Sequence, residues 1–226
     1  MNIDVVIKVG GSLGRWRGLG KLLDSIEQWK GAANVLVIPG GGVFADLVRA
    51  EYRRLRLTER AAHRMAVLAM DQYGLQLCDC ASRAAPASSL NQVMEVIRCG
   101  CLPIYLPSQS LARRDPFRPS WGVTSDSIAA YIAGLVQART LLLLKSVDGI
   151  FARDPKADPS APLLSRITRS HLARHCGVDG EFGRWLNGID CCWIINGTHP
   201  ARVKEWLERG TTVGTCVVTR SAKRRA

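Results

Sequence analysis

The sequence predicts an α/β fold in which a mostly parallel central sheet is sandwiched by helices, and three observations carry that prediction. Short apolar runs such as residues 3–9, 35–38 and 140–145 have the near-continuous hydrophobicity of strands buried on both faces. Segments of helical periodicity alternate with them, as βαβ units require. Two of the runs end in glycine clusters, Gly10-Gly11-Ser12 and Gly40-Gly41-Gly42, at the strand ends where open α/β sheets bind ligands.

Residues 3–9 form a β-rich run stopped by the first glycine turn, and a helix follows over 19–29. The β-branched run 35–38 is stopped by Pro39 and three glycines. After it Phe44, Leu47, Val48, Tyr52 and Leu55 recur at helical spacing. Thr58 is a candidate cap for a further helix reaching about residue 77. Residues 90–97 read as helix, 102–106 as strand, and 113–122, with Pro116 and Pro119, as loop. A helix over 125–136 leads into the strand 140–145. The three prolines of 154–162 make that stretch a loop. A strand over 191–195, a helix over 199–207 and a strand over 215–218 complete the pattern. Repeats and linkers are absent, so the chain reads as one domain with two lobes.

With 226 residues the chain can build one substantial core. Its 47% hydrophobic and 22% charged residues are those of a globular protein, which leaves only 221–226 as a frayed tail. The net charge of +12 favours anionic partners, whether nucleotides, phosphate esters or nucleic acid. Many arginines fall in helix-like stretches such as 49–60, where a solvated basic face accounts for them. No nucleic-acid-binding module is recognisable, so no nucleic-acid partner is expected. The eight cysteines form no C-x-x-C pair and are expected to be mostly buried thiols in a reducing cytoplasm. Asp4 and Lys8 interrupt the first ten residues, and no apolar run approaches the roughly 20 residues that span a bilayer. A cytoplasmic protein without a membrane partner is the expectation.

Glycines let backbone N–H groups approach phosphate oxygens, and a helix N-terminus behind them adds favourable partial charge. Lys8 stands just inside the first loop, suited to a transferring phosphoryl group, although a strand-end lysine beside an ordinary turn has the same sequence. Neither loop has the G-x-G-x-x-G fingerprint of dinucleotide binding, and Gly18-Leu19-Gly20-Lys21 lacks the earlier glycine and the Ser or Thr of a P-loop. His171 and His175 have the spacing of a metal pair on one helix face, but no third ligand accompanies them and a surface or capping role is preferred.

The order of the blocks says more than any one of them. Lys8-Val9-Gly10-Gly11-Ser12, Pro39-Gly40-Gly41-Gly42, Thr124-Ser125-Asp126-Ser127 and Ser146-Val147-Asp148-Gly149-Ile150-Phe151 follow one another, with Asn196-Gly197 and Gly214-Thr215 behind them. In that order they resemble the amino acid kinase superfamily over nearly the whole chain. Within it the stretches from Pro39 to Asp46, from Leu106 to Ser108 and from Pro119 to Ser127 look like the archaeal-type [5-(aminomethyl)furan-3-yl]methyl phosphate kinases of methanofuran biosynthesis. A uridylate kinase more typically carries Thr-Thr-Asp-Ala in the third block. An isopentenyl phosphate kinase typically has a histidine soon after the triple glycine, where this chain has Val43-Phe44-Ala45-Asp46.

The resemblance implies an amino acid kinase-like fold, with an acceptor-binding lobe over about 1–135 and a nucleotide-binding lobe over about 136–220. It implies ATP as donor, with Mg²⁺ carried mainly by phosphate oxygens and water. The implied acceptor is a small phosphorylated molecule, the alternatives being a uridylate or other small-molecule kinase of the superfamily or a non-catalytic nucleotide-binding protein; homo-oligomers are common in the superfamily. By the same resemblance Lys8 and Asp126 are catalytic, the aspartate orienting lysines; its own position also suits a first-turn carboxylate at a helix N-terminus. Gly10, Gly11 and Ser12 would contact the nucleotide's phosphates, and Gly40, Gly41, Gly42, Thr124 and Ser125 the acceptor side. Asp148, Gly149, Phe151 and Asp154 belong to the nucleotide side, although an Asp-Gly pair after a strand is also a generic turn. Lys145 is either a site residue or a strand-end charge. Lys156 is the nearest candidate for a second catalytic lysine, in a loop that departs from the superfamily's usual forms. Trp121 either stacks on the acceptor's ring or packs within its loop.

Overall fold

The computed structural model describes residues 3–29, 33–155, 157–174 and 177–219. Eight strands are described: β1 (Val5–Val9), β2 (Val35–Pro39), β3 (Ala84–Ala87), β4 (Leu102–Tyr105), β5 (Thr140–Lys145), β6 (Arg166–Thr168), β7 (Cys191–Asn196) and β8 (Thr215–Val218). They form one sheet in the order β3-β4-β2-β1-β5-β7-β8-β6, and every pairing is parallel except β7 with β8. The central strand β1 pairs with β2 on one side and β5 on the other. Val9 stands opposite both Pro39 and Leu144, so the loops after all three strands leave the sheet at one edge.

The helices are α1 (Leu19–Trp29), α2 (Gly42–Leu55), α3 (Glu59–Cys80), α4 (Leu90–Arg98), α5 (Ser108–Arg113), α6 (Ser125–Leu135), α7 (Phe182–Trp185) and α8 (Pro200–Arg209). Strand alternation assigns the two faces of the sheet. Val5, Ile7 and Val9 point to one side, where Leu22 and Ile26 of α1, Leu77 of α3 and Val203 of α8 cover them. Val6, Leu141 and Leu143 point to the other, under Ala129, Ala130 and Ala133 of α6. These side chains are buried, and each large aliphatic one contributes about 1.5–3 kcal/mol. The alanines bring α6 close down on the sheet, which fixes where its N-terminus lies.

The expected parallel α/β sheet is the one found, and Thr58 does cap α3, its Oγ1 accepting from the Ala61 N–H at 3.2 Å. Four short elements have no sequence signature. β3 reads Ala-Ala-Pro-Ala, without β-branched residues, and is made a strand only by pairing with β4. β6, α5 and α7 are three to six residues long, too short for periodicity to register. The cysteines are a correction: among the described residues only Cys192 is buried, and all seven described are free thiols. Cys80 closes α3 and Cys99 ends α4, and helix ends face solvent. No helix among the described residues is long and apolar enough to cross a membrane.

Candidate active site

The alternation that builds the core also builds a charge cluster. Lys8 follows Val6 on the α6 side of β1, and Lys145 follows Leu143 on the α6 side of β5. Both reach the first turn of α6. The Lys8 ammonium donates to Asp126 Oδ1 at 2.7 Å and the Lys145 ammonium to Oδ2 at 2.5 Å. The Lys8 and Asp126 side chains are only 6% and 4% exposed, and that of Lys145 is 18% exposed. One carboxylate between two ammonium groups leaves this trio net positive, and the nearby Asp179 carboxylate offsets part of that charge.

Burial pushes the Lys8 ammonium below its ordinary value, the Lys145 charge acts the same way, and Asp126 opposes both. For Asp126 burial acts to raise the carboxyl, but the charges and hydrogen bonds of the two lysines hold it below the usual carboxylate range. A carboxyl lowered by folding stabilises the protein above its unfolded value of about 3.9 and loses that contribution as pH falls through the folded value.

Asp179 holds the start of α6 in place. Its Oδ2 accepts from the Thr124 N–H at 3.0 Å, the Thr124 hydroxyl at 2.7 Å and the Ser127 N–H at 3.0 Å, and its Oδ1 accepts from the Ser127 hydroxyl at 2.5 Å. The two N–H groups are orphan donors of a helix N-terminus, satisfied from a loop more than fifty residues away. Thr124 itself caps the helix, its Oγ1 accepting from the Asp126 N–H. Replacing Asp179 with alanine is expected to destabilise the fold by about 2–4 kcal/mol, the range for several lost charge-assisted bonds. The same change should lower turnover, because Asp126 loses its fixed position. Urea unfolding beside steady-state kinetics tests this, and a variant of unchanged stability would refute the clamp.

The two glycine loops touch. The Gly10 N–H donates to the Leu144 carbonyl at 2.8 Å, the Gly40 N–H to the Val9 carbonyl at 2.8 Å, and the buried Tyr73 hydroxyl to the Gly10 carbonyl at 3.2 Å. A Cβ on Gly11 would lie 2.3 Å from the Gly42 nitrogen, so side chains are excluded where the loops meet. Gly42 has φ +55°, a conformation glycine adopts without strain, and opens α2. Ser12 donates to the Ser146 hydroxyl at 3.1 Å, tying the first loop to the end of β5. Gly10, Gly11, Gly40, Gly41 and Gly42 therefore form one backbone surface beside Lys8.

On the β5 side, Asp148 Oδ1 accepts from Asn196 Nδ2 at 2.9 Å and from the Arg202 guanidinium at 2.6 Å. The Asn196 bond lowers the Asp148 carboxyl despite some desolvation, and Arg202 adds to it. Gly149 lies against Thr215, whose Oγ1 accepts from the Ile150 N–H at 2.8 Å. Phe151 bridges to Leu163, and the Asp154 carbonyl accepts from the N–H groups of Ala157 and Asp158. Lys156 and His175 lie outside the described residues. His171 is exposed and pairs with the Thr168 hydroxyl at 3.1 Å.

On the β2 side, Trp121 packs edge-on to Tyr52 at 5.4 Å, and the Arg49 guanidinium lies 5.3 Å from the Trp121 ring centroid. Trp121 thus packs against α2 and also lines a cleft of about 60 Å³ that reaches Gly41, Thr124 and Ser125. Three residues of this region escaped the sequence reading. Asp179, Arg202 and Arg49 stand in no motif, and only the tertiary fold brings them to the site.

Such an arrangement suits phosphoryl transfer, which asks for positioned charge more than for covalent chemistry. Among the described residues no group of three or more His, Cys, Asp or Glu could hold a metal ion. Both Asp126 oxygens are engaged by lysines, so an ion arriving with a nucleotide fits on phosphate oxygens and water rather than in a protein cage.

The model of the Amino acid kinase family matches residues 5–184. The [5-(aminomethyl)furan-3-yl]methyl phosphate kinase of Methanocaldococcus jannaschii is 30% identical over 216 residues, covering 94% of this chain and 97% of that protein. A uridylate kinase of Aeropyrum pernix is 32% identical over 179 residues, covering 75% and 73%. Among solved structures, the uridylate kinase of Archaeoglobus fulgidus superposes with a TM-score of 0.76 at 21% identity over 96% of this chain and 100% of that one. The isopentenyl phosphate kinase of T. acidophilum, solved as a product complex, gives 0.64 at 20% identity over 95% and 99%. The two structural likenesses concern the fold.

Proposed function

The chain belongs to the Amino acid kinase family and is a small-molecule kinase, and on that premise we propose that it transfers the γ-phosphoryl group of ATP to a small phosphate monoester, forming a diphosphate. The acceptor proposed is [5-(aminomethyl)furan-3-yl]methyl phosphate, a reading supported by the relative that matches over nearly the full length of both chains. It would serve the making of a methanofuran-type one-carbon carrier.

One observation carries the proposal: two lysines share one buried aspartate beneath two glycine loops in backbone contact. When donor and acceptor are both anionic, the barrier is dominated by their repulsion, and fixed positive charge counters it without reorganising. Lys8 and Lys145 would supply that charge, with Asp126 holding them apart at fixed positions. Gly10, Gly11 and Ser12 would hold the nucleotide's β- and γ-phosphates by N–H and hydroxyl donation. Lys145, Asp148, Gly149, Phe151, Asp154 and Lys156 are assigned to the nucleotide side. Gly40, Gly41, Gly42, Thr124, Ser125 and Trp121 are assigned to the acceptor. Mg²⁺ bound with ATP would neutralise phosphate oxygens. The strands on the β2 side of β1 would serve the acceptor lobe and those on the β5 side the nucleotide lobe.

A homo-oligomer is proposed as the working form, supported by Leu68 and Leu75, about half exposed on one face of α3. The free thiols of the described cysteines support the cytoplasm as its compartment.

Phosphorus NMR of the protein with Mg-ATP and a panel of acceptors tests the proposal. Conversion of the aminomethylfuran phosphate to its diphosphate is expected, with ADP released. Conversion of UMP in its place would overturn the acceptor, and turnover of none of the panel would overturn the activity.

A further inference from the structure

Next to the Trp121 cleft lies a second cavity of about 330 Å³, between α3 and α5 with the segment that follows it. The two share His63 and Val67 in their walls, so they are neighbours along α3. The inner end of the pair lies at Gly41, Thr124 and Ser125, beside the Lys8–Asp126–Lys145 cluster. The middle is largely apolar, formed by Val67, Met70, Ile128 and the Trp121 ring, with the Arg49 guanidinium by that ring. At the far end stands Asp115, the carboxylate among the residues lining either cavity.

Asp115 is held there by design of the chain around it. Its Oδ2 pairs with His63 Nε2 at 2.9 Å, and its Oδ1 accepts from the Phe117 N–H at 2.9 Å. The His63 side chain is 8% exposed and that of Asp115 is 30% exposed, so the imidazole is packed while the carboxylate keeps an open side. Each carboxylate oxygen retains a second lone pair for a ligand. Arg60 and Arg64 also line this cavity and are exposed, as Asp115 is, so solvent and salt screen all three charges in part, and Asp115 is set apart by the hydrogen bonds that fix it. The pair of cavities therefore offers a cationic inner end, a largely apolar middle and a fixed carboxylate at the outer end. A small acceptor complementary to it carries a phosphate at one end, a flat apolar body and a protonated amine at the other.

We propose that Asp115, positioned by His63, is a specificity-determining residue that binds an ammonium group at the far end of the acceptor. This rests on the kinase reading above and names what selects its substrate. The match with the M. jannaschii relative is chemical: the substrate in that protein's name carries both a phosphate and an aminomethyl group.

The test compares wild type and Asp115→Asn on [5-(aminomethyl)furan-3-yl]methyl phosphate and on the analogue with methyl in place of aminomethyl. Wild type is expected to prefer the amine by about ten- to a hundredfold in kcat/KM, the range of one charge-assisted hydrogen bond, and to do so mainly through KM. Asparagine keeps the side chain's shape and an acceptor for Phe117, so the variant is expected to fold, and its preference should collapse to about one. Asp115→Glu, which keeps the charge, should retain part of it. Equal use of both furans by wild type, or a preference unchanged by Asp115→Asn, would overturn this inference and leave the kinase reading standing. Use of neither furan would overturn the acceptor reading and this inference with it.

Discussion

Lys8→Ala is expected to lower kcat by about 10²–10³-fold, the loss that follows removal of one preorganised charge or donor from a developing anion. The KM for ATP should move far less, because the glycine backbone and the β5 side of the site remain. Fold should survive the change. Asp126 keeps Lys145 at 2.5 Å, so the buried carboxylate is not left without a partner. The desolvation that depresses Lys8 disappears with the side chain. Steady-state kinetics with thermal unfolding separates the two effects, and an undiminished kcat in a folded variant would remove Lys8 from the mechanism.

Gly11→Ala should cost a comparable amount by a different route. The added methyl would fall 2.3 Å from the Gly42 nitrogen and 2.7 Å from its Cα. Those are backbone atoms, so no rotamer change relieves the clash. The two loops must separate by about an ångström, and a misplacement of that size costs on the order of 10²-fold in rate. Stability should fall as well, by about 1–3 kcal/mol as for other overpacked sites. Unlike the lysine variant, this one should raise the KM for both substrates. Unchanged kinetics would show that the loops do not need their contact.

The parts of the molecule legible in the sequence are those fixed by local pattern. Val5, Val6 and Ile7 announce a doubly buried strand, Thr58 a cap, and Gly40 to Gly42 a turn, each through its own residue type. Lys8 and Asp126 were also visible, because each belongs to a block whose order is informative. Lys145 was ambiguous for a physical reason: its partner lies 19 positions earlier, on a helix, and only the packing of α6 on β5 brings them together. Lys156 suits a second lysine by its place after the turn and lies outside the described residues, while Lys145 engages the aspartate. Asp179 gave no signal, since one aspartate in a glycine-containing loop looks like any turn residue. Asp115 and His63, 52 positions apart, were silent in the same way.

The position of β1 in the sheet bears on how the molecule comes into being. Lys8 stands opposite Ile38 on one side and Leu143 on the other, so this early strand stays half-paired until a segment from the second half of the chain joins it. Contacts so distant along the chain slow folding, and an unpaired central strand is open to the wrong partner while it waits. The strand that ends the wait is also the one that carries Lys145 to Asp126. Closing the sheet and bringing the second lysine to Asp126 are one folding event, and a nascent chain short of β5 lacks both.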